Sequence, residues 1–339
     1  AVAPQIDGGK FFGSGPRMRR QTPDPLRTQR LQFFHQMLRC HHRLLEDGAH
    51  RPGHGAALDN PRHIASIKFA DLVKAKTNGR IEVAVSPSAQ LGTDPAMVTA
   101  LRTGALDITA NSQGAVAATV PEYNAFGMPF LFADVGAAFK VMDGPVGKEL
   151  AAKTEEKGMI VLGYWDNGIR HMTNSKRPLN NPADLNGLKM RTPPDAVTMD
   201  IMKAVGATPQ QIAFSELYVA LQQGVVDGQE NPLANIFSAK LYEVNKYISL
   251  TGHKYEMSPF LMSKRTWEKL SAADQKAVMD SALEATTLQR KLSVEADQKL
   301  VAELKAKGAL INNANKAAFE KATSNVDDIW TAKSDIGAF

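Results

Sequence analysis

The residues of this chain best suited to chemistry are two arginines, Arg170 and Arg191, each at the end of an apolar run. They stand out because lysines outnumber arginines by 23 to 7 from residue 63 onward. A guanidinium presents a planar fork of donors that pairs with a carboxylate through two parallel hydrogen bonds, which an ammonium cannot reproduce. Two such residues on one sheet edge predict a pocket for a small carboxylic acid.

Those arginines need a sheet to hold them, and the chain predicts one. A helical face over residues 62–77 precedes an alternating strand at 81–85. The pair Asp94-Pro95, a side-chain acceptor at the N-cap followed by proline, predicts the start of a second helix. A strand at 106–110 follows. Helices alternating with strands imply right-handed crossovers and a parallel sheet.

The helix at 62–77 should be fed by a preceding strand. Residues 50–61, HRPGHGAALDNP, are not expected to form it, because proline and glycine interrupt them and no alternation exists. Either Leu31 to Met37 substitutes, or the strand is absent.

Further along, a buried strand at 159–164 continues at 169–173 after a turn or bulge at 166–168. Asn231 is predicted to open a helix, preceded by a short strand at Val225-Val226. Residues 271–308 form one helical pattern, longer than a globular helix usually needs. Such a helix is expected to cross between two lobes.

The first 62 residues differ in composition from the rest. They carry ten basic and five acidic side chains, so the formal charge of +5 lies there and the remainder holds 30 of each sign. The folded part therefore lacks the footprint of a polyanion-binding protein. We interpret residues 1–57 as an atypical head, non-native or disordered, with a basic arm as the alternative. Its Cys40-His41-His42 cluster lacks the ligand spacing of a zinc site.

Compartment signals are few. No run of about 18 apolar residues occurs, so no membrane span is predicted. The single cysteine, Cys40, leaves the body without a thiol, which suits an oxidising compartment and also fits the cytosol. No signal peptide is visible at the first residue, so an exported form would have lost or exchanged its leader.

Several separated motifs resemble the DctP-type solute-binding proteins of tripartite ATP-independent periplasmic (TRAP) transporters, over about residues 58–339. They are NGRIEVAVSPSAQLG, TGALDIT, NGIRHMTNSKRP, LNGLKMRTP and FSELYVALQQGVVDGQENP. The resemblance implies an α/β, two-lobed periplasmic binding protein fold with parallel sheets, crossing strands and a long lobe-spanning helix. Lobe 1 would comprise 58–167 plus 257–296, and lobe 2 would comprise 168–256 plus 297–339, with hinges near 166–168 and 254–257.

The resemblance also implies a ligand site. In it Arg191 would pair with the substrate carboxylate and Arg170 would be the second arginine, while Asn231 would contact the ligand, cap its helix, or do both. The large apolar groups could line the pocket or fill the core. The remaining expected members are Phe214, Trp165, Asn111, Ser112 and Gln113.

The implied function is a monomeric, non-enzymatic periplasmic receptor that passes an organic acid to the membrane subunits of a TRAP transporter. The segment TGHKYEMSPFLMS at 251–263 looks most like members that take six-carbon sugar acids, such as a uronate or an aldonate. A C4-dicarboxylate or keto-acid receptor is the alternative. A sugar-acid lyase or isomerase would need a base, for which Asp195 and Glu230 are the candidates. His171 and His253 are expected to be structural, and no metal, cofactor or nucleic acid is predicted.

Overall fold

The computed structural model describes residues 49–50 and 52–339. None of the helices in these residues is long and apolar enough to cross a membrane. The strands are β1 Ala49–His50, β2 Pro52–Gly53, β3 Glu82–Val83, β4 Ile108–Ala110, β5 Met159–Asn174, β6 Lys189–Thr192, β7 Thr208–Gln211, β8 Gly228–Pro232, β9 Tyr247–Ser263 and β10 Leu310–Asn313. The helices are α1 Pro61–Lys76, α2 Asp94–Thr103, α3 Gln113–Ala117, α4 Val135–Asp143, α5 Pro145–Glu156, α6 Ala196–Ala204, α7 Phe214–Gln222, α8 Leu233–Ser238, α9 Lys264–Trp267, α10 Ala272–Ala306, α11 Lys316–Thr331 and α12 Ser334–Gly337. Three short 3₁₀ turns cover Pro121–Gly127, Pro182–Leu185 and Leu241–Glu243.

Two long strands organise the sheet. β5 has 16 residues and β9 has 17, and they pair antiparallel along most of their length. Their register shifts between Val161 and Gly163, between Asp166 and Gly168, and beyond Arg170. Each shift adds twist and bends the ribbon. The bulge predicted at 166–168 is therefore present, and Gly168 supplies a φ of 117° there, which a side chain would disfavour.

The sheet order is β2-β4-β9-β5-β8-β6-β7, with β10 beside β9. We call β2, β4 and the adjoining ends of β5 and β9 sheet half I, and β6, β7, β8, β10 and the other ends sheet half II. Parallel pairing joins β2 to β4 and links β6 to β7 and β8, whereas the long strands run antiparallel. The fold is thus α/β with a mixed sheet that the two crossing strands hold together.

Each sheet half has its own hydrophobic core. Phe69, Trp165 and Phe260 pack on one face of half I, and the Phe260 ring stacks on the Trp165 indole with centroids 4.3 Å apart. A separate cluster on half II is centred on Met172, Met190 and other apolar groups. Separate cores give each half its own rigidity. The division into two moving lobes at the predicted boundaries stays a prediction.

The predicted long helix is confirmed as α10, which has 35 residues and whose N-cap is Ser271. It contacts α1 beside half I and α8 beside half II. Its buried face is built from small or polar groups such as Ala282, Ala285 and Gln289, which let it lie close to the crossing strands. The Gln289 amide bonds both backbone groups of Asp166, so the helix grips the bulge itself.

The prediction that residues 50–61 hold no strand is wrong. Pro52–Gly53 forms β2 and pairs parallel with Ile108–Thr109 of β4. On its other side the Pro52 carbonyl accepts from the Ser86 N–H at 3.0 Å and Gly53 bridges Ser86, so β2 is held on both sides despite the N–H that its proline lacks. Gly53 has no room for a side chain, since an added Cβ would lie 2.8 Å from the Met97 sulfur. The head boundary drawn at residue 57 therefore lies too far along the chain, while Leu31 to Met37 and the Cys40 cluster fall outside the described residues.

Two local predictions also need correction. Val225 and Val226 precede the strand, which is Gly228–Pro232, so Asn231 lies within β8 and caps no helix. The N-cap of α2 is Thr93, and the Asp94 side chain instead accepts a hydrogen bond from the Ser112 backbone N–H at 3.2 Å. Both errors come from assigning short elements by side-chain type alone, and both matter at the site below.

Candidate ligand-binding site

A cavity of about 250 Å³ lies where the two sheet halves face each other. Its walls come from loops that follow β2, β4, β6 and β7, together with the bulge of β5 and the strand β8. Ends of parallel strands collect ligand-binding groups in α/β proteins, because the loops that follow neighbouring strands converge there. The lining residues that matter below are Arg62, Asp94, Asn167, Arg170, Arg191, Phe214, Asn231 and Asn235.

Arg191 is the cationic group of the cavity that is left open for a ligand. It lies on β6 and is only 2% exposed, and its Nε–H donates to the Ile212 carbonyl at 2.8 Å. Within the described residues no hydrogen bond reaches either of its terminal nitrogens. Burial lowers the pKa of Arg191 to about 10, which still leaves it charged at neutral pH. A buried fork of donors without an anion is suited to bind a carboxylate.

Phe214 supports that guanidinium. Its ring centroid lies 5.9 Å from the Arg191 Cζ, at the start of α7. A cation near an aromatic face is stabilised by the ring electrons without using a hydrogen-bond donor. The aromatic group therefore orients Arg191 and leaves its terminal N–H groups free.

Arg170 lines the same cavity but is already paired. Its Nε and Nη2 donate to the Glu230 carboxylate and its Nη1 donates to Glu256. Burial alone would lower the pKa of Arg170, but these carboxylates raise it above its usual range. Arg170 thus acts first as the counter-ion of two buried acids and offers a ligand few remaining donors.

A chain of asparagines joins the two sides of the cavity. Asn60, the N-cap of α1, donates to the Asn235 side chain of α8 at 3.0 Å. Asn235 donates in turn to the side chains of Asn231 and Asn167, each at 3.1 Å. Asn231 is thus placed at the cavity wall, in contact with both Asn235 and Gln229. Fully connected buried amides fix one arrangement of the walls.

Sequence reasoning missed two charged residues of the cavity, Arg62 and Asp94. Arg62 lies in the first turn of α1 and donates to the Asn167 side chain at 2.6 Å. Asp94 begins α2, where it was taken for a cap. The signal for Arg62 was present as an arginine just after an N-cap asparagine, but it fell at the edge of the atypical head.

Three predicted members lie elsewhere. Trp165 is fully buried in the core of half I, where its indole N–H donates to Thr286 at 2.9 Å. Gln113 is buried by bonds to the backbone of Tyr123 and Met257. Asn111 donates to the Asp94 carbonyl at 3.2 Å. The structure places none of these side chains on the cavity wall, while their neighbour Ser112 does line it.

The two candidate bases for catalysis are held in ion pairs. Asp195 accepts from the Lys254 ammonium. Burial alone would raise the pKa of Glu230, but the Arg170 charge and hydrogen bonds from His253 and Arg170 lower it to about 2. His171 and His253 both bond to groups within the sheet. No cluster in the described part of the chain has three side chains able to hold a metal ion.

Comparisons with known proteins agree with this architecture. The 2,3-diketo-L-gulonate-binding periplasmic protein YiaO of Escherichia coli (strain K12) is 38% identical over 290 residues, covering 85% of this chain and 88% of that protein. A TRAP periplasmic solute-binding protein from Polaromonas sp. JS666, solved bound to D-erythronate, matches with a TM-score of 0.83 at 37% identity, covering 86% of this chain and 97% of that chain.

Another relative is longer. The uncharacterized protein y4mM of Sinorhizobium fredii (strain NBRC 101917 / NGR234) is 55% identical over 287 residues, which cover 84% of this chain and 53% of that protein. This chain therefore spans about half of that relative's length.

The family model of bacterial extracellular solute-binding protein family 7, DctP, matches residues 52–333. That span starts at β2, in agreement with the strand found there. Together with the cavity, the crossing strands and the long helix, it shows that the chain belongs to the DctP family of TRAP solute-binding proteins.

Proposed function

We propose that this protein is a periplasmic receptor that captures a small sugar acid and delivers it to a TRAP membrane permease, without turning it over. The observation that carries the proposal is the unpaired terminal fork of Arg191 in the cavity. A buried charge without a partner is costly, so an anionic ligand is the natural complement. The receptor is proposed to act as a monomer.

Capture would begin at Arg191, since its terminal nitrogens have no hydrogen-bond partner within the described residues and Phe214 already orients it. The cavity wall that α1 and α2 form would then complete the contacts with the ligand as the lobes close. A ligand stabilises the closed state only through its greater affinity for that state. Hydroxyl groups of a sugar acid suit the remaining polar wall of asparagines, which can both donate and accept.

The ligand class is supported by two similar proteins. YiaO is named for binding 2,3-diketo-L-gulonate, and the Polaromonas protein was solved with D-erythronate. Both ligands are carboxylic acids that carry further oxygen groups. A six-carbon acid such as a uronate or aldonate remains our proposal for this chain.

Arg62 favours a second candidate, a C4-dicarboxylate. It places another guanidinium on the cavity wall, and two arginines could in principle hold two carboxylates. The two candidates differ in what Arg62 would contact, a hydroxyl or a carboxylate.

The test is a thermal unfolding screen. Sugar acids, dicarboxylates, keto acids and the neutral sugars that match the acids are each added to the purified protein. Binding to the native state raises the melting temperature by mass action. We expect the acids to stabilise and the neutral sugars to have no effect, with each acid recovered unchanged. Stabilisation by neutral sugars alone, or conversion of the acid, would contradict the proposal.

A further inference from the structure

The cavity wall on the side of half I presents a carboxylate oxygen without a hydrogen-bond partner among the described residues. Asp94 Oδ2 accepts from the Ser112 N–H at 3.2 Å, and within the described residues no hydrogen bond reaches Oδ1. Gly55 lies against that oxygen, since an added Cβ would stand 3.2 Å from it. The glycine leaves room for the Asp94 carboxylate to lie along the cavity.

Arg62 lies on the same cavity wall as the Asp94 carboxylate. Its Nη2 is committed to Asn167, its Nη1 lies 3.4 Å from the Ala110 carbonyl, and its Nε has no partner in the part of the chain that the structure describes. Burial lowers the pKa of Arg62, and the nearby Asp94 carboxylate opposes that shift. The positive and negative charges on this wall therefore offset each other.

A wall with the Arg62 donor beside the Asp94 acceptor is suited to bind a hydroxyl group of the ligand. A hydroxyl group donates one hydrogen bond and accepts others, whereas an ionised carboxylate only accepts. At this wall a hydroxyl could donate to Asp94 while accepting from Arg62. A second ligand carboxylate would gain Arg62 but would meet the Asp94 charge, and like charges in a desolvated site disfavour each other.

We infer that Asp94 and Arg62 form a hydroxyl subsite, through which the receptor selects hydroxylated monocarboxylic acids and rejects dicarboxylic acids. This inference rests on the proposed function, because it assumes that Arg191 holds the first carboxylate. It deepens that function by assigning the choice between the two candidate ligand classes to one side chain.

The first experiment needs no mutation. Calorimetric titration compares D-erythronate with meso-tartrate, which replaces the terminal CH₂OH of a four-carbon hydroxy acid by a carboxylate, and compares gluconate with glucarate in the same way. We expect at least one monoacid to bind at least tenfold more tightly than its diacid partner. Equal or tighter binding of both diacids would overturn the inference. If neither pair nor any other acid binds, the proposed function itself fails.

The second experiment uses Asp94→Asn, which keeps an oxygen to accept from Ser112 but removes the charge. We expect the monoacid to weaken about tenfold and the diacid to bind as well or better, so that the ratio between them falls below threefold. A ratio unchanged from the wild type would overturn the inference. Asp71→Asn, an exposed aspartate on α1, is the matched control and should keep the wild-type ratio.

Melting of ligand-free Asp94→Asn checks its fold. Should that variant not fold, the two acid pairs measured on the wild type still decide the outcome. Arg191→Ala separates the two proposals, because it should remove the binding of monoacids and diacids alike, whereas Asp94→Asn should weaken the monoacid alone.

Discussion

Two arginines of the cavity carry the same charge but differ in what surrounds them. Glu230 and Glu256 surround the guanidinium of Arg170. Within the described residues Arg191 makes one hydrogen bond, from its Nε to a backbone carbonyl, and the side chain lines the cavity. Arg170 therefore stabilises the fold, whereas the guanidinium of Arg191 is available to a ligand.

Replacing Arg191 with alanine should abolish measurable binding of the cognate acid. Removing one partner of a buried charge-assisted pair costs about 2 to 5 kcal/mol, or roughly 30-fold to several-thousand-fold in affinity. Arg191→Lys should also bind weakly, since an ammonium cannot form two parallel bonds. Calorimetric titration measures both, and a loss of less than about threefold for the alanine variant would exclude Arg191 from the site.

Replacing Arg170 with alanine should act mainly on stability. It leaves Glu230 and Glu256 buried without their cation, which typically costs about 3 to 5 kcal/mol. Urea unfolding of the ligand-free protein should show this loss for Arg170→Ala and a much smaller change for Arg191→Ala. If the two variants unfold at the same urea concentration, the division of roles between these arginines is mistaken.

This division could not be predicted from the sequence. NGIR and GLKMR mark both arginines as strand-end residues of equal standing. The partners of Arg170 lie 60 and 86 residues further along the chain, and only the pairing of β5 with β8 and β9 brings them together. Arg191, Asn231 and Phe214 were expected in the pocket because they lie in motifs that resemble the family, whereas Arg62 and Asp94 lie in the first turns of α1 and α2, outside those motifs.

Among the secondary-structure elements, β2 is short, but side-chain contacts hold it in the sheet. The Thr109 hydroxyl donates to the Gly53 carbonyl at 2.7 Å, and His54 next to it is buried. Burial, with the charge of Arg62, lowers the pKa of His54 to about 3, so it is neutral in the fold. These contacts show why a strand of two residues persists despite its proline and glycine.

Two truncations test the importance of this strand. Deleting residues 1–47 retains β1 and β2, whereas deleting residues 1–57 removes them together with buried His54 and Ala56. We expect the shorter chain to melt at a lower temperature than the longer one, because Ile108 and Thr109 lose their strand partner. Equal melting temperatures would mean that β2 contributes nothing to the stability of half I.

The bulge of β5 should make stability depend on pH. Burial, with the Asp297 charge, raises the pKa of Asp166 to about 7, and burial raises that of Asp297 to about 6. A carboxyl that is harder to ionise in the folded state contributes stability at low pH, and this is lost as the pH rises from about 4 through about 7. Asp166→Asn should therefore gain up to a few kcal/mol at pH 8 and little at pH 4.

Chemical denaturation at both pH values measures this difference. Asp71→Asn, at an exposed position on α1, serves as the surface control. A gain that is the same at pH 4 and pH 8 would mean that Asp166 is ionised in the fold like an ordinary surface acid.

Within residues 52–339, two sheet halves with separate hydrophobic cores are joined by a bent two-stranded ribbon and by α10. The register shift between Asp166 and Gly168 lies where sequence reasoning placed a hinge, and Gly168 pairs with Glu256 on the second strand. Periodicity predicted the long helix and the strands with alternating residues. It could not predict that both long strands run through the two sheet halves, since this depends on contacts about 90 residues apart in the chain.

Small-angle scattering tests the expected motion. The radius of gyration should decrease when a cognate acid saturates the site, because the acid would favour the arrangement in which the asparagine chain joins the two sides of the cavity. Arg191→Ala, measured with the same acid, should keep the ligand-free profile. An unchanged wild-type profile at saturation would argue against closure.

The terminal nitrogens of Arg191, which have no partner among the described residues, have a consequence for which form of the receptor a transporter would meet. Under the proposed function the cargo would be the counter-ion of Arg191, so a receptor that shut while empty would seal an uncompensated positive charge away from water. Electrostatics then disfavours the shut form until an acid arrives. A permease that recognises only the shut form would then rarely bind an unloaded receptor, because the charge of Arg191 would keep empty receptors open.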